Sequence, residues 1–434
     1  MKKKMEAKSD KRFRYELEDK LGGVPLLLYG IQWFLVTIPT LIIVGALVGG
    51  LQYGNSIGQV FYIQKLFALV GLALIVQVLW GHRLPIVIGP ATVLLVGIIA
   101  TQSQGFDAIY SSIIIGGLIL FILSFTPLIK RIKSIFTPRI IAVILALIAI
   151  TLTPTILKMC FSGDVSEGTK YLFFITFFVF LLISNRLLSG IWKSTVLLWG
   201  MIIGTLVYRA ISSDWSLGTP MGDPAEREFF ISSFVFDPGV LLSFICCYVA
   251  LFINELGSVQ AVGQAIGADR QMERNVRGLR VTGLSNAVNG CFGIIGPVDF
   301  SISPGIIMTT GCASRYALIP AGIGLILCAV FPNVVIFLTS IPEAVMGGIL
   351  FYLMCMQLGS SLQLIGNGHL INNFEDALVI AVPLMLALYT SFLPQNMVDS
   401  IPAFIQPIVA NGFVVGVISV ILMEHLLHRQ PLSE

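Results

Sequence analysis

Only 11% of the 434 residues are charged and 56% are hydrophobic, with 42 glycines besides. A soluble domain carries about 25% charged residues, and so little polar side chain cannot cover a globule of this length. The 26 Lys/Arg and 23 Asp/Glu leave a net charge of only +3, which excludes a nucleic-acid-binding module as well as a disordered chain. The composition is that of a polytopic membrane protein.

The chain opens with a charged tail, Met1 to Lys20, holding eight Lys/Arg, and no removable signal peptide is expected. About 20 mainly apolar residues span a bilayer, fewer where Gly and Pro interrupt them. On that measure spans are expected at 26–50, 60–80, 84–100, 108–128, 138–158, 171–187, 194–210, 235–256, 281–296, 303–312, 317–338, 343–357, 375–393 and 403–423, fourteen in all. With the N-terminus in the cytoplasm, 21 of the 26 Lys/Arg fall inside, among them Lys130-Arg131-Ile132-Lys133 and Arg270, Arg274, Arg277 and Arg280. Lys65, Lys158, Lys170, Arg209 and Arg227 fall outside, where the loop 211–234 carries Asp214, Asp223, Glu226 and Glu228. This bias predicts both termini in the cytoplasm of an inner (plasma) membrane.

The third and tenth spans are short and begin with extended-looking sequence, Leu84 to Pro90 and Phe300 to Gly305. Their positions, seven spans apart, predict two repeats of seven, the second inserted upside down. That is the architecture of many secondary transporters. Backbone that leaves the helix at mid-membrane must be satisfied by protein, water or ligand, and half-helix N-termini offer N–H groups to a substrate. Pro90 and Pro304 kinking ordinary helices is the plain alternative.

Ionisable groups within a bilayer are costly and mark candidate sites. Glu255 follows Asn254 at the end of the apolar run 241–253, and Gly257, Ser258, Gln260 and Gly263 continue a small, polar stretch before the basic loop. A partly desolvated carboxyl there could bind and release a proton during transport; a helix-end carboxylate at the interface is the structural alternative. Asp299 reads as a cap at the outer mouth of the tenth span. Glu343 reads as a first-turn helix residue, and Glu375 and Asp376 as interfacial. His82, His369, His425 and His428 fall in cytoplasmic loops or the tail. Gln32, near Thr37 and Thr40, is placed to meet a substrate or to hydrogen-bond between helices. The seven cysteines sit mostly in apolar runs, as small hydrophobes, and no metal or other cofactor is expected. GxxxxGK[ST], HExxH and G-x-S-x-G are all missing, which points away from ATP-driven transport by this chain alone and from an enzyme.

Residues 300–316 read FSISPGIIMTTGCASRY. This resembles the signature of the nucleobase–ascorbate transporter family, the uracil and xanthine permeases, with matches at Gly305, Thr310 and Gly311. RLPIVIGPATVLLVG at 83–97 is similar to that family's third segment and LLLYGIQWFLVTIP at 26–39 to its first. The resemblance implies an all-α polytopic membrane protein of fourteen segments in two inverted seven-segment repeats, with short β-strands in broken segments 3 and 10. It implies a core domain (21–134 and 235–340), a gate domain (135–212 and 341–425) that forms a homodimer, and an extracytoplasmic loop (213–234). Substrate would sit between segments 3 and 10 with contacts from segment 8. The candidate substrate-binding residues are therefore Asn254, Glu255, Ser258, Ile302, Ser303, Gly305, Ala91, Thr92 and Gln32, with Glu255 coupling protons. Where the signature has Gln or Glu and then Asn, this chain has Ile302 and Ser303. The family's segment-8 carboxylate position is Asn254, one residue before Glu255 and so a 100° turn away on a helix. The implied function is secondary active transport of a nucleobase or similar small heterocycle, coupled to protons or another cation. A small anion is the alternative cargo, and a passive channel a more distant reading.

Overall fold

The computed structural model describes residues 13–54, 57–127, 129, 136–215, 228–402 and 405–427. In chain order the main elements are α1 (Gly23–Tyr53), α2 (Ile57–Leu79), β1 (Ile88–Pro90), α3 (Thr92–Thr101) and α4 (Phe106–Leu123). Then come α5 (Pro138–Thr151), α6 (Thr153–Cys160), α7 (Glu167–Leu187) and α8 (Val196–Ser212). The second half holds α9 (Pro238–Ile266), α10 (Gln271–Cys291), β2 (Pro297–Asp299), α11 (Ser303–Thr310), α12 (Ile319–Val330) and α13 (Pro332–Thr339). It ends with α14 (Glu343–Asn367), α15 (Phe374–Ser391) and α16 (Gly412–Leu422). Lys130 to Lys133, Asp223, Glu226, Arg227, His428 and the first part of the tail, all assigned to one side or the other from sequence, lie outside the described residues.

Among the described residues eight helices are long and apolar enough to cross a membrane, nine if one bent pair counts as a single span. The bent pair is α12 with α13, expected as a straight span over 317–338; the two halves meet at 92° where Pro332 opens the second helix. Proline's missing N–H and ring clash end the first helix there. α10 is long enough but carries Glu273, Arg274, Arg277 and Arg280 in its first three turns. Those arginines were expected in a loop ahead of a span starting at 281; they are helical.

The helices pack as two groups. α1–α4 pack with α9–α13, and α5–α8 pack with α14–α16. Glycine makes the first group tight. A Cβ on Gly117 of α4 would lie 2.6 Å from the Ala287 backbone nitrogen of α10, and one on Gly283 of α10 would lie 2.6 Å from that of Phe121. Gly71 of α2 and Gly322 of α12 meet in the same way, a Cβ on either falling within 3 Å of the other's carbonyl oxygen. Without a hydrophobic drive between helices in lipid, such backbone contact and the dispersion it brings is what holds them. The second group closes on a buried ion pair: Arg139 at the start of α5 holds Asp376 of α15 at 2.9 Å and Glu424 at 2.8 Å. Asp376, expected at the interface, is 1% exposed because Arg139 and the Asn372 N–H satisfy its carboxylate.

Residues 13–20, read from sequence as part of a charged tail, are docked on the first group. Tyr15 bridges to Cys312, the Arg14 N–H donates to the Gly311 carbonyl at 2.8 Å, and Arg315 reaches Glu18 at 2.8 Å. Phe13 and Leu21 are buried there.

Candidate functional site

The first group is broken at its centre by two three-residue strands. β1 pairs with β2 antiparallel, Ile88 opposite Asp299, Gly89 opposite Val298 and Pro90 opposite Pro297. Two further bonds extend the crossing, Phe300 N–H to the Val87 carbonyl at 2.8 Å and Ala91 N–H to the Gly296 carbonyl at 3.0 Å. Each strand therefore satisfies the other's backbone where neither is helical. Gly89 is required by the crossing, because a Cβ there would run into the Phe300 ring. The extended stretch of the tenth segment is Pro297–Asp299 and not Phe300 to Gly305 as its sequence suggests; the latter turns into α11, with Pro304 pre-set for a first helical turn.

α9 runs past this crossing. Asn254 is half-buried; its amide nitrogen donates to the Asp299 carbonyl at 3.2 Å and its oxygen accepts from the Ser301 hydroxyl at 3.2 Å. Ser258, one turn on, is fully buried and donates to the same Asp299 carbonyl at 3.1 Å, lying 3.0 Å from the Ser301 hydroxyl. Facing them across the boundary between the two helix groups is α5. A cavity of about 100 Å³ lies between, with Ile141, Ile144, Leu145 and Ile148 on the α5 side and Ala250, Ile253, Asn254, Gly257 and Ser301 on the other. A larger cavity of about 580 Å³ separates the two groups nearer the C-terminal end of α1, its lining including Gln59, Thr155, Lys158 and Glu343.

Glu255 points elsewhere. The 100° rotation from Asn254 turns it into the first helix group, where it is completely buried. Its Oε1 accepts from the Thr282 hydroxyl at 2.6 Å and from Gln77 at 3.4 Å, and its Oε2 from the Asp299 N–H at 3.2 Å. Asp299, expected as a cap at the outer mouth of the tenth span, is fully buried in β2, with the His82 ring nitrogen 3.4 Å from its Oδ2. His82, expected in a loop, is likewise fully buried. The chain folds back after α2 in a turn whose Arg83 has φ 56°, and Arg274 of α10 clamps that turn by donating to the His82 and Arg83 carbonyls.

The other positions singled out from sequence divide. Ser303 is fully buried; its hydroxyl accepts from the Val87 N–H at 3.1 Å and donates to the Phe300 carbonyl at 2.9 Å, so it ties the third segment to the tenth from inside the fold. Ala91 is buried with its N–H on Gly296, and Thr92, half-buried, begins α3. Ile302 is 47% exposed, and Gly305 has open space where a side chain would be. Gln32 is buried away from the small cavity, reaching Ser194 of the one-turn helix Gly190–Ser194 at 3.4 Å. Ser301 and His82 were not selected from sequence. A serine one residue from the signature was the available signal for the first; for the second there was none, since only the fold-back of 80–87 buries it.

The chain is similar to several transporters of known description. The uric acid transporter UacT of Escherichia coli is 24% identical, over 79% of this chain and 72% of its own. The nucleobase transporter PlUacP of Paenibacillus larvae is 26% identical, over 92% of this chain and 94% of its own. The transmembrane domain of a cyanobacterium bicarbonate transporter, BicA, matches with a TM-score of 0.62 at 15% identity, covering 87% of this chain and 98% of that one. The Permease family model spans residues 25–396, from α1 to beyond α15, and the chain belongs to this family of integral membrane transporters, the nucleobase–ascorbate transporters.

Proposed function

We propose that the protein is a secondary active transporter of a nucleobase or similar oxo-heterocycle, working by alternating access in an inner (plasma) membrane. The observation that carries this is the small cavity at Asn254. One wall is aliphatic, from α5; the other presents an amide and a hydroxyl, Asn254 and Ser301. A planar ring needs an apolar surface for its face and paired donors and acceptors for its edge. The Asn254 amide offers one donor and one acceptor side by side, the complement of an N–H/C=O edge such as uracil, xanthine and uric acid possess. Both are engaged within the protein and would exchange those partners for the substrate.

The reading extends to the whole chain. The helix groups act as core and gate, and fourteen membrane segments form two inverted halves related through β1 and β2. Both termini are cytoplasmic and two copies associate through the gate. Transport is coupled to a proton, with Glu255 the coupling carboxyl, placed behind the cavity rather than in it. The sequence similarity to uric acid and nucleobase transporters supports the substrate class. The anion alternative gains no charged side chain in the lining of the small cavity.

The experiment is uptake of labelled uric acid, xanthine, uracil and bicarbonate into proteoliposomes. At least one heterocycle should accumulate. Asn254→Ala removes two hydrogen bonds of about 0.5–1.5 kcal/mol each, which predicts affinity lower by roughly 5- to 150-fold. Bicarbonate as the only cargo, or an unchanged KM in Asn254→Ala, sinks the proposal.

A further inference from the structure

Behind the substrate cavity lies a second constellation: three titratable side chains, His82, Glu255 and Asp299, each fully buried. They come from the turn after α2, from α9 and from β2. The charged and titratable groups facing them are few. Gln77 and Thr282 are neutral donors to Glu255. Arg274, from α10, spends its guanidinium on the His82 and Arg83 carbonyls and on Asp269. α3, packed on the other side of α9, contributes none.

The protonation of His82 is constrained by its neighbours. Its Nδ1 accepts from the Leu84 N–H at 2.9 Å, so that nitrogen carries no proton, and the ring is the neutral tautomer with its proton on Nε2. That nitrogen lies 3.4 Å from Asp299 Oδ2, and neither Asp299 oxygen has a hydrogen-bond donor among the described residues. Two carboxyl groups thus share a fully buried interior with a neutral imidazole, and among the described residues no cation touches either carboxyl. Two bare carboxylates in that setting would be uncompensated, because their Coulomb repulsion and desolvation add.

We infer that Glu255 and Asp299 form one proton-binding site, with His82 as its positioning residue, and that Asp299 transmits its state to the substrate cavity. This rests on the transport reading for its purpose but not for its existence. The link is a single residue. The Asp299 N–H donates to Glu255, while its carbonyl accepts from Asn254 and Ser258. A proton from water added to the Glu255–Asp299 pair converts one carboxylate to a carboxylic acid. The acceptor that holds the Asp299 N–H is thereby altered. β2 shifts its balance of bonds, and the Asn254 amide is freed or held accordingly. Loss of the proton to water reverses the change.

The test uses infrared difference spectra of the purified full-length protein between acid and alkaline pH, which read the carbonyl stretch of a protonated carboxyl without any substrate. The wild type should show a titrating band that is lost or reduced in Glu255→Gln and in Asp299→Asn and displaced in His82→Gln. A band identical in all four proteins, or no such band in the wild type, overturns the site. Where a variant does not fold, isotope labelling of Asp alone and of Glu alone in the wild type assigns the band instead. The second arm is transport. Glu255→Gln should keep exchange of labelled for unlabelled uric acid or xanthine while gradient-driven accumulation falls at least tenfold. Accumulation equal to wild type overturns the link between the two sites. If wild-type protein moves no heterocycle, the transport reading fails and the infrared result still decides the proton site.

Discussion

Replacing Ser303 with alanine separates a substrate-facing hydroxyl from one spent inside the fold. In the structure the Ser303 side chain is the acceptor for the Val87 N–H and a donor to the Phe300 carbonyl. The Phe300 carbonyl keeps a second donor, the Ser303 N–H at 3.3 Å, so the loss falls mainly on Val87. Val87 is fully buried, so bulk solvent does not reach its N–H. An orphaned buried donor costs about 1–3 kcal/mol, a factor of roughly 5 to 150 in the folding equilibrium. Ser303→Ala should therefore lower the midpoint of thermal or denaturant unfolding in detergent. Ser303→Cys, with a weak acceptor in the same place, should recover part of the loss. Unchanged stability together with weakened substrate affinity would refute this account and return Ser303 to the cavity.

Three further outcomes follow from the packing and the ion pairs. Gly117→Ala drives a methyl against the α10 backbone at the Gly283 crossing, and overpacking of about 1–3 kcal/mol should appear as reduced thermal stability. Arg139→Ala leaves the Asp376 and Glu424 carboxylates without their cation; Asp376 is 1% exposed, so a loss of about 3–5 kcal/mol is expected in unfolding titrations. Glu18→Ala breaks the Arg315 pair at the docked N-terminal segment, but the Glu18 side chain is 58% exposed and the effect should stay below about 1 kcal/mol.

Much of this architecture is legible in the sequence because lipid imposes a length rule on apolar helices. The break in the third segment shows in Leu84 to Pro90 for the same reason: Pro and Gly mark where the backbone leaves the helix. Elsewhere the one-dimensional signal fails in identifiable ways. The arginines of α10 read as a loop because charge is disfavoured in lipid, yet Arg274 is needed to clamp the 82–83 turn. Asp376 read as interfacial because its cation, Arg139, is more than 200 residues away in the chain. The site turns on one residue of helix phase. Asn254 and Glu255 are adjacent in sequence, and only the packing of α9 assigns the amide to the cavity and the carboxyl to the interior. Asp299 read as a cap and His82 as a loop residue because neither lies in a recognisable pattern until β1 and β2 are paired.

That pairing also constrains how the protein is made. The partners Ile88 and Asp299 stand 211 positions apart. While the first half is being inserted, the backbone of β1 has no strand to bond to and the hydrocarbon around it offers no substitute. α1–α4 therefore cannot reach their final packing on their own. They wait while α5–α8 are synthesised. The first group cannot begin to close before β2 arrives, so synthesis runs through an intermediate whose unpaired strand is a ready target for quality control.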